Sequence, residues 1–511
     1  MSDNDSPRSN ANTQSGLRAI RDIVLVAIVL GAGFFWYYTK TTNEKLANAT
    51  AIEARDLLLK DNPQDYEAAA AKLAEVLEKY DPQHGYSLAA LAELNAILWG
   101  ENHLESRKAD ALKFAAQAMA ANPAIAEQYS AQALVTTFDG KAEEAERFLA
   151  DSVLEKGGGG ARIFAALGQA QRAQGKLVES RRAFKAAIDS DWRNARFAQL
   201  IGESYLEEGD TANAVAYFER GLAANSEHYG CRLGLARARL QRGEQVKESA
   251  EVIEKILGES ANLTPALHAM ALVAQAELRL LEQKVDEAIA SASQAAEKDP
   301  AYAWAYAVKA RAEANKGPEN VSAAIADFDK AIAADPYVAA FHFDAAVTLA
   351  SGGEADKAVE YLEKYPLKKD DRFHLKYGHV LRALDRLDAA LVQYEEARKL
   401  NETNAEIYLS KGVVLIAQNK LDEARAELDM ALRAQEFNPP VHVQIAQIHF
   451  AKKEWEEGLQ TYARALEQWK RQRVPREQLA ASIAEVKQLL LKAGQRQYAQ
   501  IWEEEATAMV R

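Results

Sequence analysis

The residues of this 511-residue chain with the most obvious chemistry are nine histidines and a single cysteine. His228 and Cys231 are three apart and on a helix would share a face. Two ligands do not make a metal site, since zinc asks for three or four from the protein. One cysteine also excludes an internal disulfide and leaves the redox compartment open. His342, His374, His442, His379 and His449 offer further imidazoles, but none sits in an H-E-x-x-H pattern. A glycine-rich phosphate loop ending in Lys-Ser or Lys-Thr is absent, and so is a G-x-S-x-G elbow. Acidic residues are plentiful, yet they alternate with Lys and Arg as a solvated helix surface does. The net charge of −13 gives no drive toward nucleic acid. No catalytic residue, metal, cofactor, small-molecule substrate or nucleic-acid partner is therefore expected.

The elements that carry these side chains are more informative. Between Asp371 and Lys470, Tyr377-Gly378, Lys411-Gly412 and Ile445-Ala446 recur at a spacing of about 34 residues. Ala390, Ala424 and Gly458 follow with the same period. So do Tyr394, Leu428 and Tyr462, and then Ala397, Ala431 and Ala465. A small residue on one helix lets a second approach, and the large residue beside it fills the gap. No single hairpin of this kind buries its apolar face alone, so neighbours must stack.

This pattern resembles the tetratricopeptide repeat (TPR), with its small, aromatic and small residues at fixed offsets. The resemblance is clear from Arg162 to Ala465 and fainter on both sides. It implies an all-α fold, a right-handed TPR superhelix (α-solenoid) of about thirteen helix pairs. In the family's register His342, His374 and His442 fall where the first-helix tryptophan packs, as does Tyr408, and His449 takes the tyrosine position. All four histidines are thus expected to be structural.

The amino-terminal segment stands apart. Residues 1–19 read as a disordered polar tail and residues 20–39 as a single transmembrane helix. Ile23 to Tyr38 is uncharged and apolar all round; its 16 residues cover about 24 Å, slightly less than the hydrocarbon core. Arg21 can snorkel at one end, and Trp36-Tyr37-Tyr38 suits the other interface. A buried soluble helix and a cleaved signal peptide (Ala47-Asn48-Ala49 as the cleavage site) are the alternatives. A short leading tail and a long following domain resemble a bacterial signal anchor, with the solenoid in the periplasm. Arg8, Arg18 and Arg21 before the segment nearly balance Lys40, Lys45 and Arg55 after it, which keeps a cytoplasmic orientation open.

Residues 40–156 are expected to form divergent helix pairs, with Asp81-Pro82 and Asn122-Pro123 as stops. Gly157 to Gly160 reads either as a hinge or as an ordinary loop. Residues 161–473 form the main array, and 474–511 a polar cap carrying Glu503, Glu504 and Glu505. In the family, the first helix of each pair lines a concave groove that holds a peptide. That register nominates Phe343 and Val347, then Leu375, His379 and Arg382, then Leu409, Val413 and Ile416, then Val443, Gln447 and Phe450. Gln169, Arg172, Gln199, Glu203 and Glu207 would give the earlier repeats a more polar groove. The positions of a chaperone-carboxylate clamp (Ala165 with Gln169, Gln199 with Glu203, Leu409 with Val413) lack its Lys-Asn pair. The expectation is a membrane-anchored scaffold for protein partners in a bacterial cell-envelope complex. A cytosol-facing adaptor and a non-catalytic regulatory subunit of an envelope enzyme are the alternatives.

Overall fold

The structure, a computed structural model, describes residues 10–121, 125–367 and 371–510, with side chains from Arg21 onward. The Asn122-Pro123 stop and residues 1–9 of the tail lie outside them. Every regular element among the described residues is helical, and they group into two compact units, Met1–Ala312 and Glu313–Arg511.

The N-terminal unit begins with α1 (Asn10–Leu58), one unbroken helix. It starts inside the stretch expected to be a disordered tail, because nothing in Asn10 to Gly16 interrupts a helix already nucleated downstream. Ile23 to Tyr38 is exposed on all sides, and α1 is long and apolar enough to cross a bilayer. Farther along, the pattern narrows to one stripe: Ala47, Ala51 and Ala54 are buried, packed on α2 (Pro63–Glu75), its π-helical extension Val76–Tyr80, and α3 (Gly85–Gly100). The pairs continue as α3 with α4 (Lys108–Ala121) and α5 (Ala126–Phe138) with α6 (Ala142–Leu149). Next come α7 (Ala161–Ala173) with α8 (Leu177–Ser190), and α9 (Ala195–Glu208) with α10 (Thr211–Ala224). Then follow α11 (Tyr229–Arg242) with α12 (Val246–Gly258), α13 (Pro265–Leu281) with α14 (Val285–Lys298), and α15 (Ala303–Ala314), where the division falls.

One apolar cluster runs from Ala92 and Trp99 through Leu134 and Leu149 to Ile163 and Ala170, so the core is continuous past the four-glycine run. Gly157 and Gly160 there take positive φ of 74° and 143°, which a side chain disfavours. The run is thus a turn that lets stacked pairs stay in contact. Inside the pairs a left-handed residue joins the two helices. Gly140, Gly175, Gly209 and Gly243 fill that slot in four pairs, whereas Asp61 and His103 fill it in the first two.

The C-terminal unit holds α16 (Val321–Ala334), α17 (Ala339–Ser351) with α18 (Ala355–Glu363), and α19 (Asp371–Ala383) with α20 (Leu387–Leu400). It ends with α21 (Ala405–Ala417) and α22 (Leu421–Ala434), α23 (Pro439–Ala451) and α24 (Trp455–Arg471), and α25 (Arg476–Lys492) and α26 (Arg496–Val510). The small-against-large packing is direct. A Cβ on Gly412 would lie 2.8 Å from Leu428, and one on Gly378 would run into the Tyr394 ring. Trp502 on α26 is buried against α25 and donates its indole N–H to the Ile483 carbonyl (3.0 Å). Its neighbours Glu503, Glu504 and Glu505 face water.

Candidate interaction surfaces

In the C-terminal unit the histidines at the tryptophan position tie each first helix to its own partner. His342 is buried and donates from Nδ1 to the Tyr361 carbonyl (3.0 Å). His374 Nδ1 pairs with Gln393 Oε1 at 2.8 Å, and His442 Nε2 accepts from the Gln468 amide at 3.2 Å. His449 Nδ1 lies 2.7 Å from Glu454 Oε2. No three His, Cys, Asp or Glu among the described residues are placed to hold a metal.

The nominated groove residues divide three ways. Phe343, Leu375 and Phe450 are buried, and for them the groove assignment is corrected. Phe343 and Leu375 belong to the apolar cluster around Phe373, with the Phe343 and Phe373 rings 5.6 Å apart. Phe450 stacks on Trp455 and fills the space left by Gly458. Successive first helices approach closely enough that these large side chains complete the packing between pairs. His379, Leu409, Val413, Ile416 and Val443 are half-buried, while Val347, Arg382 and Gln447 face solvent. The accessible face is therefore a shallow strip, apolar along α21 and α23 and basic at Arg382.

His379 joins neighbouring first helices. Its Nε2 is 2.9 Å from Ser410 Oγ on α21, and its ring meets Tyr394 edge-on at 5.7 Å. Burial, with Arg382 and Lys376 adding repulsion, holds its pKa down to about 4. The ring is accordingly neutral at physiological pH.

Of the polar groove residues expected in the earlier repeats, Gln169 meets the chain's own α3, whereas Arg172 pairs with Glu207 and Gln199 with Glu203 within the repeats. Gln169 and Glu207 are buried. Gln169 donates to Glu101 (2.5 Å). Glu101, at the end of α3, also takes the buried Arg196 guanidinium, with Nε at 3.0 Å. Glu93 takes Arg162 at 2.7 Å.

The two turns with left-handed Asp61 and His103 complete this seam. The Lys60 carbonyl accepts from Asn225 Nδ2 (2.8 Å), and Asp61 Oδ2 lies 2.7 Å from His228 Nε2. Thr264 Oγ1 donates to Asn102 Oδ1 (2.6 Å), and His103 Nδ1 lies 2.6 Å from Asp299 Oδ2. His228 and Thr264 are also helix N-caps, accepting the main-chain N–H of Cys231 (3.1 Å) and Leu267 (3.3 Å). The His228–Cys231 spacing noticed in the sequence is thus that of a capping turn.

Beyond the seam, Glu277 is buried and bridges two arginines. Arg237 Nε and Nη2 reach it at 2.9 and 3.1 Å, and Arg311 Nη2 at 3.1 Å. Burial would raise its pKa, but Arg237 and Arg311 hold it below the usual carboxylate range. The Arg237 guanidinium also lies 4.6 Å from the Trp304 ring centroid.

Family models described as tetratricopeptide repeat match residues 205–276 and 381–442, and another of the same description matches 309–371. The chain carries tetratricopeptide repeats. The matched segments are stacked helices among those described above and fall in both units. Among solved structures, the human IFIT1 dimer with m7Gppp-AAAA is similar at 17% identity and a TM-score of 0.43, covering 74% of this chain and 89% of that one. Yeast Tom70 is similar at 15% identity and 0.40, covering 91% and 96%. The Cut9–Hcn1 hetero-tetramer of the APC/C gives 15% and 0.35, covering 84% and 95%. No curated protein sequence matches significantly.

The seam residues escaped the sequence reading. Partners 68 to 196 positions apart leave no periodic trace, and Asp61 and His103 look like ordinary turn residues. The turn residues gave no signal either, because Gln283, Asp385, Asn419 and Lys453 replace the glycine in pairs outside the seam.

Proposed function

We propose that this TPR chain is a membrane-anchored scaffold that holds partner polypeptides on the first-helix face of its C-terminal unit. The observation that carries the reading is the strip left accessible there. Leu409, Val413, Ile416 and Val443 are apolar and only half-buried, and Val347, on α17, is 51% exposed. Leu409, Ile416 and Val443 pack against the core with one side and leave the other open, and apolar surface left open on a repeat face is characteristic of interaction sites. TPR chains serve as binding scaffolds, and no side chain in this strip is arranged for bond-making chemistry. The apolar, exposed first half of α1 supports a single-pass anchor, and we assign the setting to a bacterial inner-membrane complex with the repeats in the periplasm.

Two experiments test the reading. A photo-crosslinking residue at Val413 or Val347, in membranes, should capture one recurrent protein set that Val413→Asp abolishes; unchanged capture rejects the strip. Alkaline phosphatase fused after Arg511 should be active if the repeats lie outside the cytoplasm, and an inactive fusion rejects that orientation.

A further inference from the structure

The geometry points to a second, self-occupied binding face in the N-terminal unit, one that takes a carboxylate-bearing segment and is shut by the chain's own Asp61, Glu93 and Glu101. These three acids meet His228, Arg162 and Arg196, which the repeats from α7 onward present on their inner side. The inner face thus supplies cationic or donor groups, and the amino-terminal pairs supply acids. An acidic partner segment has the same chemistry as the built-in occupant and competes with it directly.

Three features make the closure a latch. First, the contacts that residues 60–61 and 101–103 make with residues 196–299 are polar, and among the described residues no hydrophobic cluster joins residues 47–107 to residues 195–300, whereas α3 and α7, which carry Glu93 and Arg162, share one. Polar contacts regain hydrogen bonds from water when they part, so the seam opens at lower cost than any stacked interface. Second, a small cleft beside the seam is lined by Asp61, Glu93, Arg162 and Arg196 together with Leu58, Tyr66 and Leu94. Third, Asp61 sits in the turn between α1 and α2, in a left-handed conformation at φ 54° and outside both helices. Opening frees the Arg196 guanidinium, which favours a carboxylate through forked hydrogen bonds.

The test uses the full chain in detergent and a fluorescent hexaglutamate peptide, with hexaglutamine as control. Glu93→Gln with Glu101→Gln removes the built-in competitor and should tighten hexaglutamate binding at least tenfold. Adding Arg196→Gln to that variant should return it to the starting value. The latch is also fixed shut by Lys60→Cys with Asn225→Cys joined by a short bismaleimide, which should lower binding of the unsubstituted seam at least tenfold. Equal binding by linked and unlinked chains overturns the proposal, as does equal binding of the two peptides. Should the Gln variant lose its helical circular dichroism, the linked-against-unlinked comparison alone decides. Val413→Asp, which tests the C-terminal strip, should leave hexaglutamate binding unchanged.

Discussion

Asp61 and His228 are 167 positions apart in sequence and 2.7 Å apart in space, and each completes a structure the other begins. His228 caps α11 with one ring nitrogen and meets the carboxylate with the other. The first turn of the repeat domain is therefore fastened to the start of its sixth pair. Asp61→Ala leaves a buried ring N–H without an acceptor and should cost about 1–3 kcal/mol of stability. His228→Ala also removes the cap and should cost about 1 kcal/mol more. Lys60→Ala, which contributes only its carbonyl to the seam, should lie near zero. Urea unfolding monitored by circular dichroism ranks the three.

Gly412 is small because Leu428 needs the space. Gly412→Ala places a methyl against that side chain and should destabilise the C-terminal unit by about 1–3 kcal/mol. Combining it with Leu428→Val makes room, so the double variant should be less destabilised than the sum of the two. A double-mutant cycle in urea measures the coupling, and strict additivity would count against the contact.

Acid should weaken the junction between α19 and α21. The pKa of His379 in the fold, about 4, lies below its ordinary 6.5. Its contribution to stability is thus complete above pH 6.5 and is lost as pH falls toward 4. His379→Gln keeps a hydrogen-bonding group facing Ser410 and removes this titration. Melting curves at several pH values should show a shallower acid slope for the variant, and identical slopes would exclude His379 as a contributor.

The exposed apolar half of α1 should govern membrane retention. Val29→Arg with Leu30→Arg places two charges near its middle, each costing about 2.5–3.5 kcal/mol on insertion scales. The variant should appear in the soluble fraction after carbonate extraction, with the folded repeats unchanged by circular dichroism. Retention as before would reject α1 as the anchor.

Much of the fold is written in the repeat period. Gly378, Gly412 and Ala446 recur because a helix must come close at each, and His342, His374 and His442 keep register because each reaches its own second helix. The surface is less readable. Phe343, Leu375 and Phe450 share register positions with residues that stay half-open, and only the distance between neighbouring first helices decides which are covered. The seam is less readable still. Glu101 is one more acid on an acidic chain until Arg196, 95 positions on, is brought against it. Local pattern reports contacts within a pair and between neighbours, and is silent about where the array meets itself.

The unbroken course of α1 fixes one further property. From Tyr38 to Ala47 the helix advances about 14 Å with no glycine, proline or loop to take up slack, so rotation of the apolar half is transmitted in phase to the first pair. Inserting a single alanine in that span would turn the first pair by about 100° about the axis of the apolar half, and four would bring it back to within about 40°. Which way the first pair faces about that axis is thus set by a residue count.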